Sequence, residues 1–197
     1  MTNRREFLQT GVTLSALPMM SGQAVAGQVT PAKLQPRALH CFVFEGGYAD
    51  ARAVAAHADP GAALHAIDGD VTALWYDVLD RPLKNTPRAI AGITTGEALF
   101  VLERLGWDRG LKVVYRGVHS LPKDGQVSHE LTGPAGLIHA SLQDPAAPWT
   151  AMAGRMASHA LVGPATPASL TLTTADTSAG ARDRVLYSWS MEPRRPA

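Results

Sequence analysis

The sequence has a single cysteine and few aromatic residues, and neither acidic nor basic residues predominate. Of its 197 residues only 6% are aromatic, and 18 basic and 17 acidic side chains give a formal net charge of +1. One cysteine cannot form an intrachain disulfide, so the fold must be stable without one. Binding to nucleic acid or to an anionic membrane surface needs concentrated positive charge, and this chain is a poor candidate for either.

The sequence also lacks the motifs that identify common reactions. It contains no G-x-G-x-x-G or Walker pattern, so a dinucleotide or nucleoside triphosphate site is unsupported. It contains no G-x-S-x-G elbow, and Cys41 lies within the apolar run Leu39–Phe44, where a buried thiol is expected rather than a reactive one. The sequence therefore assigns no catalytic residue, metal or cofactor.

The N-terminus has the three-part layout of an export signal. A basic head is followed by a weakly apolar stretch from Gly11 to Met20 and by the small residues Ala24 and Ala26 of a cleavage site. The apolar stretch is too short to span a bilayer as a helix. Cleavage after Ala26 takes away two arginines and one glutamate, which leaves 16 basic and 16 acidic side chains.

The head of this signal resembles the twin-arginine (Tat) pattern Ser/Thr-Arg-Arg-x-Phe-Leu-Lys. Four residues fit the pattern and two depart from it: Arg4, Arg5, Phe7 and Leu8 fit, whereas Asn3 and Gln9 do not. The resemblance implies recognition by the Tat translocation machinery and export of an already folded protein to the periplasm, without a membrane anchor after cleavage. A cofactor inserted in the cytoplasm, or a partner protein exported in the same complex, is a common reason for this route.

The rest of the sequence predicts a single domain. We expect a cleaved signal at residues 1–26, an extended linker at residues 27–37 and a single α/β domain at residues 38–197. Four apolar segments of strand length alternate with helical patterns: Leu39–Phe44, Ala63–Ile67, Ala89–Ile93 and Leu111–Tyr115. This alternation predicts a three-layer Rossmann-like or flavodoxin-like core of about four parallel strands.

The later part of the sequence predicts a C-terminal antiparallel extension at the edge of this sheet. Two strands, Val113–His119 and Gln126–Leu131, flank a turn at residues 122–125. Further strands are expected at residues 137–142, 169–174 and 184–191, with a helix from Trp149 to Ala160.

Two helix starts are also predicted. Asp70 is placed to cap an amphipathic helix over residues 71–79, which Pro82 follows. Thr94 and Glu97 have the spacing of a capping box.

Ligands in open parallel sheets usually bind beyond the carboxyl ends of the strands, and this rule selects four segments. They are Glu45–Gly47, Asp68–Asp70, Thr94–Gly96 and Arg116–His119. The predicted ligand-binding residues are Glu45, Gly46, Gly47, Asp68, Asp70, Thr94, Thr95, Arg116 and His119. Helix caps, tight turns and solvated carboxylates are the structural alternatives for most of them.

Two arrangements could bind a metal. His119 and His129 could meet across the turn at residues 122–125, with Glu130 adjacent, and such a set would suit zinc, iron or copper. Met152, Met156 and His159 share one helix face and could attract Cu(I), although core packing explains them equally well. We assign no metal site from these patterns.

The combined evidence favours a soluble periplasmic accessory or small-ligand-binding protein, with an exported redox enzyme as a candidate partner. The alternative is a periplasmic hydrolase or metal-dependent enzyme that uses the carboxylates and His119. A third hypothesis is a copper or other metal carrier, which the His and Met positions permit but do not require. Convergence of Glu45, Asp68, Thr95 and His119 would favour the enzyme, and their dispersal would favour the binding role.

Overall fold

The computed structural model describes residues 33–36, 38–122, 125–144, 146–162, 166–175 and 183–194. This part of the chain contains nine strands, five α-helices and one π-helical segment. In chain order they are β1 (Lys33–Pro36), β2 (Leu39–Glu45), α1 (Ala49–Ala55), β3 (Ala63–Ile67), the π-helix (Leu74–Leu79), α2 (Asp80–Asn85), β4 (Ala89–Thr94), α3 (Gly96–Trp107), β5 (Leu111–Leu121), β6 (Gln126–Pro134), α4 (Ala135–Ser141), α5 (Trp149–Ser158), β7 (His159–Val162), β8 (Pro167–Ala175) and β9 (Arg184–Pro193). The Tat-like signal and its cleavage site lie outside the described residues.

Seven strands form one mixed sheet in the order β3-β2-β4-β9-β5-β6-β8. β3, β2 and β4 are parallel neighbours, as apolar strands without polar alternation predict. The remaining pairs, β4–β9, β9–β5, β5–β6 and β6–β8, are antiparallel. The α/β class is therefore confirmed, with a parallel half and an antiparallel half in the same sheet.

The fourth predicted parallel strand is longer than expected and has different neighbours. It corresponds to β5, and β9 separates it from β4 by pairing antiparallel with both. Gly92 of β4 makes room for β9, since a Cβ atom at this position would lie 2.7 Å from Trp189 Cζ2. Four of the five predicted antiparallel strands are present, as β5, β6, β8 and β9, but of these only β8 lies at the edge of the sheet, whereas β9 lies in its middle.

Two shorter segments differ from their predicted structure. Residues 33–36, expected within a linker, form β1 and pair antiparallel with β7. Residues 137–142, expected as a strand, fall mostly in α4, which follows Pro134 directly and buries Leu137 and Ile138. A short apolar run cannot by its pattern alone be assigned to a strand or to a buried helix.

The amphipathic helix predicted at residues 71–79 is present, but its turns are wider than those of an α-helix. Residues Leu74–Leu79 are π-helical and continue into α2, so Pro82 lies in the first turn of α2 rather than beyond the helix. Val78, which a 3.6-residue period would bury, is 39% exposed. The buried side chains are spaced four residues apart: Val71, Trp75, Leu79 and Leu83.

Helices pack on both faces of the sheet. α1, α4 and α5 cover one face, called the α5 face below, and the π-helix, α2 and α3 cover the other, called the α3 face. At β6 only the α5 face is buried, so Val127 and His129 are buried while Ser128 and Glu130 are exposed. None of the described helices is both long and apolar enough to cross a membrane.

Candidate functional site

The carboxyl ends of β2, β3 and β4 meet at one edge of the sheet, where Glu45 joins them. Its carboxylate accepts a hydrogen bond from Gly69 N–H, in the turn after β3, at 3.0 Å. It accepts another from Thr95 N–H, in the turn after β4, at 3.3 Å. Glu45 is only 3% exposed. A buried carboxylate thus links three strand ends through charge-assisted hydrogen bonds.

Gly46 and Gly47 form the tight turn that follows β2. Gly46 N–H donates to Ile67 O at 2.8 Å, and Gly46 O accepts a hydrogen bond from Arg52 Nη1 at 2.5 Å. Gly47 is exposed, and a Cβ atom there would lie 4.0 Å from Asp68 Oδ1. The turn after β2 therefore lies beside the turn after β3.

Asp68 and Asp70 flank Gly69 on the exposed side of this edge. Gly69 has a φ of +72°, a conformation that favours glycine. Asp70 Oδ1 accepts a hydrogen bond from Thr72 N–H at 2.8 Å, as expected of a residue that caps the following helix. Hydrogen bonds from the side chain and backbone of Thr72 hold the pKa of Asp70 below its ordinary value. Asp68 is exposed beside it.

The turn after β4 uses a different threonine from the one predicted as a helix cap. Thr95 is the N-cap of α3, and its Oγ1 accepts a hydrogen bond from Ala98 N–H at 3.3 Å. Thr94 is buried at the end of β4, where its Oγ1 accepts a hydrogen bond from Trp189 Nε1 at 3.0 Å. The predicted capping box of Thr94 and Glu97 is therefore wrong by one position, because β4 extends through Thr94.

Arg116 and His119 lie within a strand and not in a turn at this edge. β5 continues to Leu121 instead of ending at Tyr115. Arg116 forms an ion pair with Glu103 of α3, whereas His119 is fully buried on the α5 face. The three predicted turns that follow parallel strands thus come together, and the fourth predicted segment does not join them.

His119 belongs instead to a chain of hydrogen bonds inside the antiparallel half. The register of β5 and β6 places it directly opposite His129, and the two Nδ1 atoms are 2.7 Å apart. His119 Nε2 lies 2.7 Å from Ser188 Oγ on β9. His129 Nε2 lies 2.8 Å from Thr174 Oγ1 on β8. Four neighbouring strands therefore contribute one polar side chain each.

This series of hydrogen bonds continues beneath α5. Ser188 Oγ is 2.9 Å from the Tyr115 hydroxyl oxygen, and that hydroxyl donates to Met156 Sδ at 3.8 Å. The Trp149 ring packs against both imidazoles, with centroid separations of 5.2 and 5.7 Å. Burial lowers the pKa of His129 to about 4 and, together with the neighbouring imidazole, holds the pKa of His119 well below its ordinary value. Both rings are therefore neutral at pH 7.

Ser188, His119 and His129 have the hydrogen-bond order of a nucleophile, a general base and a group that orients the base. All three side chains are 0% exposed, and Trp149 and Met156 pack over them. The sequence offered a signal only for the histidines, which occupy inward positions of two alternating strands. Ser188 is 69 residues from His119, and no local pattern connects them.

The histidine pair that the sequence offered as a metal-binding alternative is present, but Glu130 is not part of it. Successive strand residues face opposite sides, and Glu130 is exposed. Met152 and Met156 are buried in the core, and His159 Nδ1 lies 2.7 Å from Arg155 O. Among the described residues, no group of three or more His, Cys, Asp or Glu side chains is placed to hold a metal.

Comparison with known proteins adds no further guide to function. No family model matches the chain, and no curated protein or solved structure matches it. The functional interpretation therefore depends on the two polar arrangements described above, the edge around Glu45 and the buried network around His119.

Proposed function

We propose that the protein acts in the periplasm as a non-catalytic accessory or small-ligand-binding protein. The ligand occupies the edge formed by the turns after β2, β3 and β4. The observation that carries this proposal is the buried Glu45 carboxylate, whose hydrogen bonds to Gly69 and Thr95 hold the three turns together. Such an edge is where open sheets with parallel strands bind their ligands. We propose a Rossmann-like arrangement only for the parallel half of the sheet, which consists of β2, β3 and β4.

The charges around this edge indicate the chemistry of the ligand. Asp68 and Asp70 flank Gly69, Glu97 lies in the first turn of α3, and all three carboxylates are exposed. Glu45 already accepts the Thr95 N–H at the start of α3, where an anion would otherwise bind. We therefore expect a ligand that presents an amine or hydroxyl group rather than a phosphate.

A binding role is favoured over catalysis because the reactive groups do not meet. General acid–base catalysis requires the participating groups within hydrogen-bond reach of one substrate. Glu45 and Thr95 lie at the edge of the sheet, whereas His119 is 0% exposed on the α5 face. The edge therefore offers exposed carboxylates as hydrogen-bond acceptors, which suit a polar molecule that donates hydrogen bonds.

Export through the Tat pathway is part of the proposal. The resemblance of Arg4, Arg5, Phe7 and Leu8 to the Tat pattern supports it, and a redox enzyme exported in the same complex is the candidate partner. Replacing both arginines (Arg4→Lys with Arg5→Lys) is expected to retain the protein in the cytoplasm, as measured by immunoblotting of periplasmic and cytoplasmic fractions. Undiminished periplasmic protein in this variant would contradict the Tat assignment.

Native mass spectrometry of the protein exported through its own signal tests the binding role. We expect either a small molecule or a partner subunit in addition to the polypeptide mass. A panel of amino acids, polyamines and monosaccharides then identifies the ligand class by its effect on thermal unfolding. A ligand at 100 times its Kd stabilises by about 2.7 kcal/mol, which raises the Tm of a domain of this size by roughly 5–10 °C.

A matched pair of variants locates the ligand. Asp68→Asn removes an exposed carboxylate beside Glu45, and Asp108→Asn removes an exposed carboxylate at the other end of α3. The Tm shift should be lost in the first variant and kept in the second. A bare polypeptide in native mass spectrometry, together with a shift that Asp68→Asn leaves unchanged, would argue against the proposed site.

A hydrolase remains the second candidate, and the Ser188–His119–His129 arrangement is the observation that favours it. A fluorophosphonate probe, which reacts with activated serine nucleophiles, distinguishes the two candidates. Labelling that Ser188→Ala abolishes and that the exposed control Ser128→Ala retains would support the hydrolase. Absence of labelling in the folded protein supports the binding role.

A further inference from the structure

The buried histidine pair has a feature that simple core packing does not require. Two ring nitrogens on neighbouring strands, His119 Nδ1 and His129 Nδ1, are aimed at one point between them. The other nitrogen of each ring lies against a hydroxyl, that of Ser188 or that of Thr174. We propose that the point between the two Nδ1 atoms is a binding site for one Cu(I) ion, with both hydroxyls orienting the imidazoles. The site is on the α5 face and is independent of the ligand edge around Glu45.

The hydroxyl chain determines which nitrogen of His119 has the free lone pair. Met156 Sδ accepts the hydroxyl proton of Tyr115, so Tyr115 in turn accepts from Ser188. Ser188 Oγ is then left to accept from His119 Nε2–H. Because a neutral imidazole carries a single N–H, the lone pair of His119 is then on Nδ1 and points at His129. The hydrolase candidate requires the opposite arrangement, in which Ser188 donates to His119 Nε2.

His129 presents its lone pair to the same point after a change of tautomer. In the metal-free protein, His129 Nδ1–H donates to His119 Nδ1, and the Thr174 hydroxyl donates to His129 Nε2. With the proton moved to Nε2, His129 donates to Thr174 Oγ1, and the freed Nδ1 lone pair faces that of His119. Thr174 satisfies either tautomer because a hydroxyl both donates and accepts. Both rings begin and end neutral, so the ion binds without net proton release.

Two facing imidazole nitrogens suit Cu(I) better than Zn²⁺. Cu(I) is a soft monovalent ion that forms stable complexes with two nitrogen donors, whereas zinc in proteins takes four ligands. A single charge also costs less to bury than a double one. Metal–imidazole bonds are about 2 Å long, so the Nδ1 atoms, now 2.7 Å apart, move to about 4 Å apart, by roughly 1.3 Å, on binding.

The surroundings of the histidine pair also favour Cu(I) binding. The indole of Trp149 packs against both imidazoles and shields the point between them from water. Metal-bound histidines commonly donate their second N–H to a protein acceptor, and loss of that acceptor lowers metal affinity by 10- to 100-fold. Ser188 and Thr174 are in the positions of such acceptors.

Anaerobic titration of the full chain with Cu(I) tests the inference. The protein is first stripped of metal, and affinity is measured by competition with the chromophoric Cu(I) chelator bicinchoninate. We expect one Cu(I) per chain and an X-ray absorption spectrum with two nitrogen donors at about 2 Å. His129→Gln should abolish binding, whereas His139→Gln, which changes an exposed histidine of α4, should retain it. Cys41→Ala should also retain it, because Cys41 is buried in the other core cluster.

A second variant keeps the test decisive if His129→Gln fails to fold. Thr174 is half-buried on the edge strand β8, and Thr174→Val preserves its shape while removing the hydroxyl. Its Cu(I) affinity should fall by about 10- to 100-fold, with the Tm of the metal-free protein little changed. Failure to bind one Cu(I), full affinity in Thr174→Val, copper retained by a folded His129→Gln protein, or copper lost in Cys41→Ala would each overturn the inference.

Discussion

Replacing Glu45 tests whether one carboxylate holds the carboxyl ends of the parallel strands together. Glu45→Ala removes both acceptors and leaves Gly69 N–H and Thr95 N–H without their partner. Hydrogen bonds to charged groups contribute about 1.5–3 kcal/mol each, so the free energy of unfolding should fall by about 3–6 kcal/mol. The longer bond to Thr95, 3.3 Å, favours the lower part of this range. Glu45→Gln keeps one carbonyl oxygen and should lose about half as much.

Urea unfolding followed by far-UV circular dichroism and tryptophan fluorescence measures these differences. Glu97→Gln is the matched control, because Glu97 is an exposed carboxylate in the first turn of α3, and its replacement should change stability by less than about 0.5 kcal/mol. The reasoning is refuted if Glu45→Ala costs less than about 1 kcal/mol. It is refuted equally if Glu97→Gln proves as damaging as Glu45→Gln.

Three further predictions follow from buried groups. Lowering the pH of metal-free protein from 7 to 5 should cost about 2 kcal/mol through His129 alone, since its folded pKa of about 4 lies below its ordinary 6.5 and the unfolded chain takes up the proton first. Urea titrations should show a loss that is about 2 kcal/mol smaller in His129→Gln than in the wild type, because the buried His119 still contributes its own part. Gly92→Ala should destabilise by about 1–3 kcal/mol or more, because its Cβ would lie 2.3 Å from Val43 O, and a Tm equal to that of the wild type would contradict the packing. Burial raises the pKa of Cys41 to about 12, so iodoacetamide at pH 8 should modify it only in urea, and rapid native labelling would refute this.

The parallel half of the sheet could be predicted because each of its strands is a local feature. The apolar runs that form β2, β3 and β4 each end at a glycine-rich or polar turn, and the alternation with helices implies parallel pairing. The position of β9 could not be predicted in this way. Thr94 and Trp189, which join β4 to β9, are 95 residues apart, and nothing local to either residue specifies the other.

The same difference between local and long-range features applies to the predicted site residues. Glu45, Asp68 and Thr95 lie at one edge, as predicted, because the carboxyl ends of parallel strands meet there whatever the details of packing. The segment Arg116–His119 is predicted as a turn because it follows the apolar run Leu111–Tyr115, and it contains Gly117. That glycine instead permits close packing inside β5, since a Cβ atom there would lie 2.7 Å from Ser188 Oγ. In a sequence, a glycine that makes room for a distant strand cannot be distinguished from a glycine that ends the strand it belongs to.

The central position of β9 has a consequence for how the chain folds. Among the described strands β9 is the last to be synthesised, yet it is the only one of them that pairs with both β4 and β5. The parallel and antiparallel halves therefore cannot join into one sheet until residues 184–193 have left the ribosome. Such long-range pairing is slow, and the unpaired edges of β4 and β5 stay exposed until β9 pairs with them. A truncation before β9 should leave two incomplete half-sheets rather than a shortened version of the protein.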